Sequence, residues 1–368
     1  MNVLVCIPCL LTGGTEIQTL SLVEALLAAG HKPVVTCYFE FIPDMVKRYE
    51  DAGAIVELMS LDGSRPKGVK ATALHLYHGL KRMIKRHKPG IAHVQYMAPG
   101  AIPIIVLRLL GVRKIIATTH TMADIYPAHR QIHWLNRHVL SAFQCITLTA
   151  EKSFFGTSQL FDSSFKLNKH GNHFTIYNNL PSYIQITKRL RGCHPKIIGV
   201  VSRLEYIKGM DLVVPAFAEV LKQRPDMNLL IVGDGTQRHL MVQQIKDLSI
   251  PSDRVEFAGR QTQDKLQDFY DRIDILLMPS RSEGFGLTAI EGMARGCVPV
   301  VANVGGLPEV VNEECGCIHD AENVTDIAEK IQSAISMFDT KSIAAINRAG
   351  QFSVLNYFNQ IKKLYSLI

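Results

Sequence analysis

The densest set of residues able to do chemistry lies in Pro279–Val311, PSRSEGFGLTAIEGMARGCVPVVANVGGLPEVV. Gly284 and Gly286 flank Phe285, and helical sequence starts near Leu287. Glycines ahead of a helix let a ligand approach the backbone, and the free N–H groups of the first turn favour a phosphate. Glu283 and Glu291 stand eight residues apart, one in the loop and one a turn into the helix, so both can face one crevice. Carboxylates accept the paired donors that sugar hydroxyls present. The alternative for the two Glu is a capping carboxylate and a solvated helical side chain.

Four other turns follow apolar runs of strand length. Ser202-Arg203-Leu204-Glu205-Tyr206-Ile207-Lys208-Gly209 sets two cations five residues apart beside a glycine. Arg203 could clamp a diphosphate through its fork and Lys208 as a point charge, although surface cations in loops are common. Thr12-Gly13-Gly14-Thr15-Glu16 follows the first strand and opens a helix, a place for a phosphate or sugar. Thr118-Thr119-His120-Thr121 ends a buried strand, where His120 is either a packed structural residue or a group pointing into a cleft between domains. Val232-Gly233-Asp234-Gly235 most simply ends a strand. No G-x-x-x-x-G-K-[ST] and no G-x-G-x-x-G after the first strand is present, which argues against a P-loop NTPase and a nicotinamide dehydrogenase.

These turns need elements to hold them. Strand-like runs lie at Asn2–Ile7, Pro33–Cys37, Ile55–Met59, Ile91–Gln95, Lys114–Thr119, Gln144–Thr149 and His173–Tyr177. A second series follows at Lys196–Val201, Asn228–Val232, Arg254–Ala258, Asp274–Pro279 and Val298–Ala302. Helical patterns such as Glu16–Ala29, Ala73–Arg86 and Gln131–Ala142 stand between strands. Near-continuous apolar strands separated by helices predict parallel sheets covered on both faces. Two series in tandem predict two Rossmann-like α/β domains, joined near Asn178–Pro195. The length of 368 residues agrees, since it suits two cores of about 180 residues each. Ligands of such sheets bind at the carboxyl ends of the strands.

Together the turns resemble the family-4 retaining glycosyltransferases, which have the GT-B fold. The E-x7-E string from Glu283 to Glu291 is the most specific element. R-x4-K-G (Arg203–Gly209), IVGDG (231–235), GGLPEVV (305–311) and GGTE (13–16) accompany it. The resemblance implies two Rossmann-like domains facing across a cleft: an acceptor domain at 1–180, a donor domain at 181–350, and a helix at 351–368 crossing back to the first. It implies a nucleotide-diphosphate sugar as donor, a UDP-sugar first, and no further cofactor. Arg203 and Lys208 would bind the diphosphate, with N–H groups of Leu287 and Thr288 at the distal phosphate. Glu291 would bind the ribose, while Glu283 and the Gly284-Phe285-Gly286 backbone would bind the transferred sugar. Gly13 and Gly14 would close on phosphate or acceptor, and His120 would sit near the reacting centre. Two departures stand out. Ser202 replaces a frequent Gly before the Arg. Asn178-Asn179 replaces a frequent Asn-Gly at the domain connection, where an Asn can take the left-handed conformation at some cost.

There is no D-x-D in the sequence, hence no acidic clamp for a metal-bound diphosphate. Two cations and a helix start would stabilise the leaving group instead, so no metal is expected. Same-face transfer, with the departing diphosphate taking the acceptor's proton, comes from the family. Other GT-B enzymes, such as a sugar-nucleotide epimerase or a phosphorylase, or a non-enzymatic nucleotide-binding protein, are the alternatives.

The charge is unevenly placed. The total is +7, yet residues 1–180 hold 19 Lys or Arg against 11 Asp or Glu, and the rest hold 21 against 22. The 61 residues from Gly63 to Ala123 contain 11 Lys or Arg and no acid. Within them Leu74, Tyr77, Leu80 and Ile84 lie at helical spacing, flanked by Lys81, Arg82, Lys85 and Arg86. Such a helix is either packed on a core with a solvated back or a membrane-surface element. The acid-free window favours an anionic membrane, and the family's frequent lipid-linked saccharide acceptors agree. Aromatic residues make up 7% of the chain and no nucleic-acid module is recognisable, so no nucleic acid is expected. The N-terminus lacks a signal peptide's positive start, and no run of about 18 apolar residues offers a membrane span. Eight scattered Cys, with Cys6-x-x-Cys9 on a strand, read as buried and reduced. A cytoplasmic protein, peripheral on the inner face of a membrane, is the resulting expectation.

Overall fold

The structure is a computed structural model and describes residues 1–95, 101–125, 129–162, 164–167, 171–188, 192 and 194–368. The chain divides into two compact units. The first comprises Met1–Asn179 with Val354–Ile368, and the second Leu180–Ser353.

The first unit is built on strands β1 (Asn2–Ile7), β2 (Lys32–Cys37), β3 (Ile55–Leu58), β4 (Ile91–Gln95), β5 (Ile115–Thr119), β6 (Ala142–Cys145) and β7 (His173–Thr175). They form one parallel sheet in the order β3-β2-β1-β4-β5-β6-β7. The order reverses between β1 and β4, the switch point where such sheets bind ligands. Leu4, Val34, Val94 and Ala117 pack under Leu76, Leu80 and Met83 of helix Val69–His87. This helix buries Thr72, Leu76, Gly79, Leu80 and Met83, while Leu74 is 58% exposed. The apolar stripe read from the sequence is thus only partly the packed face.

Helix Val354–Leu367 belongs to the first unit and packs on helix Gly14–Ala28. Tyr365 stands 2.7 Å from His93 Nδ1, and Gln360 donates to the Phe161 carbonyl. At the domain connection neither Asn178 nor Asn179 has a positive φ. Asn179 is instead held at backbone level, its N–H donating to Gln18 Oε1 and its carbonyl accepting from Gln18 Nε2 at 2.8 Å.

The second unit has strands β8 (Ile197–Val201), β9 (Asn228–Val232), β10 (Val255–Gly259), β11 (Ile275–Met278), β12 (Val298–Ala302) and β13 (Cys317–His319). They form a parallel sheet in the order β10-β9-β8-β11-β12-β13. Its core joins Ile198, Val200, Ile231, Leu277 and Val300 to the apolar face of helix Met210–Leu221.

Two elements differ from the sequence reading. Helical sequence at Gln131–Ala142 gives helix His129–His138, and the expected strand Gln144–Thr149 is the shorter β6 with a helix after it. Thr147 caps that helix, its Oγ1 accepting from the Ala150 N–H at 3.1 Å. An apolar run there hides a strand end followed directly by a cap. The edge strand β13 has no counterpart among the expected strands, since three residues are too few to show a period.

Candidate active site

In the second unit four of the quoted turns meet at the carboxyl ends of the adjacent strands β9, β8, β11 and β12. The turn after β8 carries Arg203 and Lys208. Its Leu204 N–H bonds the Asp234 carbonyl, and Gln237 N–H bonds the Leu204 carbonyl, so IVGDG buttresses it. The turn after β11 carries Glu283. Its Arg281 N–H bonds the Ile207 carbonyl at 2.9 Å, and its Glu283 carbonyl accepts from Gly306 N–H at 3.2 Å. These closures need glycine at two places. A Cβ on Gly209 (φ +68) would lie 1.9 Å from the Pro279 carbonyl oxygen, and one on Gly305 (φ +55) 1.9 Å from that of Glu283. Ser202 has no positive φ, so the backbone there asks for nothing that only Gly supplies.

Lys208 Nζ and Glu283 Oε2 form a half-buried ion pair of 2.7 Å. The two residues assigned by resemblance to diphosphate and sugar are therefore neighbours, each the other's partner. Arg203 is exposed and makes no ion pair among the described residues. Arg281, quoted only as a member of the string, is a fastener. It grips Asp211 with two bonds of 2.7 and 2.9 Å and lies 3.7 Å above the Tyr206 ring. It thereby ties the loop of Glu283 to the turn of Lys208.

Helix Leu287–Ala294 starts after Gly286, whose φ of 100° is left-handed. The N–H groups of Leu287 and Thr288 lie in its first turn, outside the helical ladder. Phe285 is buried edge-on against Phe352 at 5.7 Å. Glu291 is 4% exposed, so it is not the solvated helical Glu of the alternative reading. Its Oε1 accepts from the Tyr183 hydroxyl and its Oε2 from the Tyr270 hydroxyl, each at 2.6 Å. Burial raises its pKa, and the two hydroxyls oppose that rise. Tyr183 and Tyr270 escape sequence reading because a tyrosine in a connector and one on helix Leu266–Arg272 carry no spacing signal. Each carboxylate oxygen still has a second lone pair for a ligand hydroxyl.

In the first unit, Gly13 precedes helix Gly14–Ala28, as the sequence predicts. The helix start is not vacant, however. Glu16 is 7% exposed and turns back, its Oε1 3.4 Å from the Leu11 N–H, and a Cβ on Gly13 would lie 2.6 Å from its Oε2. A carboxylate within the turn occupies the position that favours anions, so the geometry suits a neutral hydroxyl group better than a phosphate. His120 is 8% exposed, with Nε2 2.9 Å from Gln95 Oε1. Burial lowers its pKa to about 4, so it is neutral at pH 7. Cys6 and Cys9 also have burial-raised pKa values, about 12, and the seven described cysteines are free.

The profile described as "Glycosyl transferases group 1" matches residues 185–350, and that described as "Glycosyltransferase Family 4" matches residues 12–154. The chain belongs to the group 1, family 4 glycosyltransferases. The glycosyltransferase is 28% identical over 269 residues to N-acetyl-alpha-D-glucosaminyl L-malate synthase of Bacillus anthracis, a match spanning 70% of this chain and 68% of that protein. It is 35% identical over 173 residues to the lipopolysaccharide core biosynthesis mannosyltransferase LpsB of Rhizobium meliloti, spanning 44% of this chain and about half, 48%, of the relative. Among solved structures, Anabaena Alr3699/HepE in complex with UDP and glucose superposes with a TM-score of 0.81 at 17% identity over 100% of both chains. That likeness shows the fold, which is GT-B. No helix of the described residues is long and apolar enough to cross a membrane.

Proposed function

We propose that the glycosyltransferase moves a sugar from a nucleotide-diphosphate sugar to a hydroxyl of a saccharide or lipid-linked saccharide, with retained configuration. The observation that carries this is the convergence of Arg203, Lys208, Glu283, Glu291 and the Leu287 helix start on one edge of one sheet. The anomeric C–O bond breaks with its electron pair leaving on the diphosphate. The acceptor oxygen bonds the same face, and its proton passes to the departing diphosphate. Arg203, Lys208 and the N–H groups of Leu287 and Thr288 meet the growing negative charge without a metal. Binding of diphosphate would draw Lys208 from Glu283, freeing that carboxylate for sugar hydroxyls. Glu291 receives the ribose diol. UDP is the nucleotide of choice because a protein of this fold holds it. Nucleotide release from a panel of nucleotide sugars, only when crude lipid-linked acceptor is added, tests the reading. Release without acceptor dependence, as from an epimerase or hydrolase, would reject it.

The acceptor side is read as an anionic membrane surface on the cytoplasmic inner face, in the service of cell-surface polysaccharide or glycolipid synthesis. Lys70, Lys81, Arg82 and Lys85 are exposed on helix Val69–His87 beside Leu74, and helix Ile102–Leu109 exposes Ile105 (45%) and Leu109 (74%). The acid-free window is less unpaired in space than in sequence, since Arg65 meets Glu40 and Arg86 meets Glu57. Sedimentation with anionic but not neutral vesicles is expected, lost on replacing Lys81, Arg82 and Lys85 by Ala. Each such cation contributes about 1 kcal/mol near an anionic surface. Equal binding to both vesicle types would sink the membrane reading.

A further inference from the structure

The edge that carries the donor residues is made of turns, and short turns do not hold themselves in place. Lys208 ends a single 3-10 turn, Tyr206–Lys208. Glu283 lies in the loop between β11 and helix Leu287–Ala294. Their ion pair joins side chains 75 positions apart. It does not fix where the two backbones stand, because a lysine ammonium rides on a flexible four-carbon stem. The spacing of the two turns therefore needs a stiffer link.

Arg281 is that link. Its side chain is 11% exposed. Nη1 donates to Asp211 Oδ1 and, at 2.6 Å, to the Tyr206 carbonyl, while Nη2 donates to Asp211 Oδ2. Nε donates to Glu322 Oε1 at 3.2 Å. Asp211 lies in the first turn of helix Met210–Leu221, where free N–H groups favour a carboxylate. Glu322 follows β13 and has a φ of 62°, a left-handed conformation uncommon outside glycine. One planar guanidinium thus joins the turns after β8, β11 and β13. The same bonds exclude a role as a phosphate ligand. Four of the five N–H groups of Arg281 are in use, and two carboxylates face its single positive charge.

We propose that Arg281 is a positioning residue for the donor's diphosphate: it holds the Lys208 turn against the Glu283 loop and acts on the ligand through Lys208. The proposal rests on the reading of a nucleotide-diphosphate donor. The fork matters rather than the charge. Two bonds to one carboxylate and a flat face on the Tyr206 ring fix direction as well as distance, and a lysine supplies neither.

The test is a double-mutant cycle on the full chain, read as UDP affinity by calorimetry. It compares the parent with Arg281→Met, Lys208→Met and the double variant. Each single substitution is expected to weaken UDP about tenfold or more, as for a charged hydrogen bond lost from the ligand. The double variant should bind no more weakly than Lys208→Met alone, because Arg281 has nothing left to position. A merely structural role would also disturb Glu291 and the Leu287 helix start, so the two losses would multiply. Multiplied losses overturn the proposal, and so does parental affinity in Arg281→Met. Arg281→Lys keeps the charge and most of the stem, and serves if Arg281→Met does not fold. It should weaken UDP while Lys208→Met/Arg281→Lys again matches Lys208→Met, and parental affinity in Arg281→Lys overturns the fork. A parent that binds neither UDP nor inorganic diphosphate rejects the donor reading, and the proposal with it. That result is distinct from any difference between the two Lys208 backgrounds.

Discussion

Arg203 and Lys208 share a turn and differ in circumstance. Lys208 is neutralised by Glu283, whereas Arg203 stands exposed without an ion-pair partner among the described residues, the state of a cation held ready for an anionic ligand. Arg203→Ala is therefore expected to lower kcat by about a hundredfold or more, the usual loss of one preorganised charge partner, with the thermal midpoint unchanged. Steady-state kinetics with the accepted donor checks this, and parental turnover would remove Arg203 from the clamp. Glu291 poses the reverse case, a buried carboxylate that tolerates burial through two tyrosines. Tyr270→Phe is expected to cost about 1.5–3 kcal/mol in urea unfolding, the worth of a hydrogen bond to a charged group, and to weaken nucleotide binding. Tyr183→Phe, from a half-buried position, should cost less. If neither substitution alters nucleotide affinity, Glu291 does not serve the ribose.

At the scale of elements, the site depends on turns closing on one another. Gly305→Ala would force a side chain into the Glu283 carbonyl at a left-handed φ, a conformation costing about 1–2 kcal/mol before any clash. It should reduce both the unfolding midpoint and nucleotide affinity. Gly350→Ala, in helix Phe338–Gln351 with open space around the added methyl, should instead stabilise by about 0.4–1 kcal/mol. Calorimetric titration with UDP and thermal unfolding of both variants check the pair. The same reasoning marks which elements are legible in the sequence. The runs that form β1, β9 and β12 are mostly apolar and bounded by breakers, so their ends agree with those expected. β6 and the helix after it are not legible, because Cys145-Ile146-Thr147-Leu148 is apolar through a strand end and a cap alike.

For the whole molecule, pH is the informative variable. Burial lowers His93 to about 3 and His120 to about 4, against an ordinary value of 6.5. Between 6.5 and these values the unfolded chain binds more protons, so stability is fully present above about pH 6.5 and is lost as pH falls. Each site contributes a slope of about 1.4 kcal/mol per pH unit in that window. Urea unfolding at pH 7 and pH 5 should show a steep decline that His120→Asn makes shallower. A flat profile in the parent would mean that these histidines are charged in the folded chain.

The sequence by itself determined the two parallel sheets, the turns that bear the chemistry and the family, because apolar period, breakers and short strings such as E-x7-E are local properties of the chain. It also determined where the excess positive charge lies. Only the tertiary structure decided what those residues meet. It joined Lys208 to Glu283 across 75 positions and Tyr183 to Glu291 across 108. It turned Arg281 from a loop cation into a fastener and filled the first helix start with Glu16. It also aligned Gln95, Thr118 and Gln144, which share no motif. Partners so distant along the chain are set by strand order and register, and these emerge only when the sheets assemble.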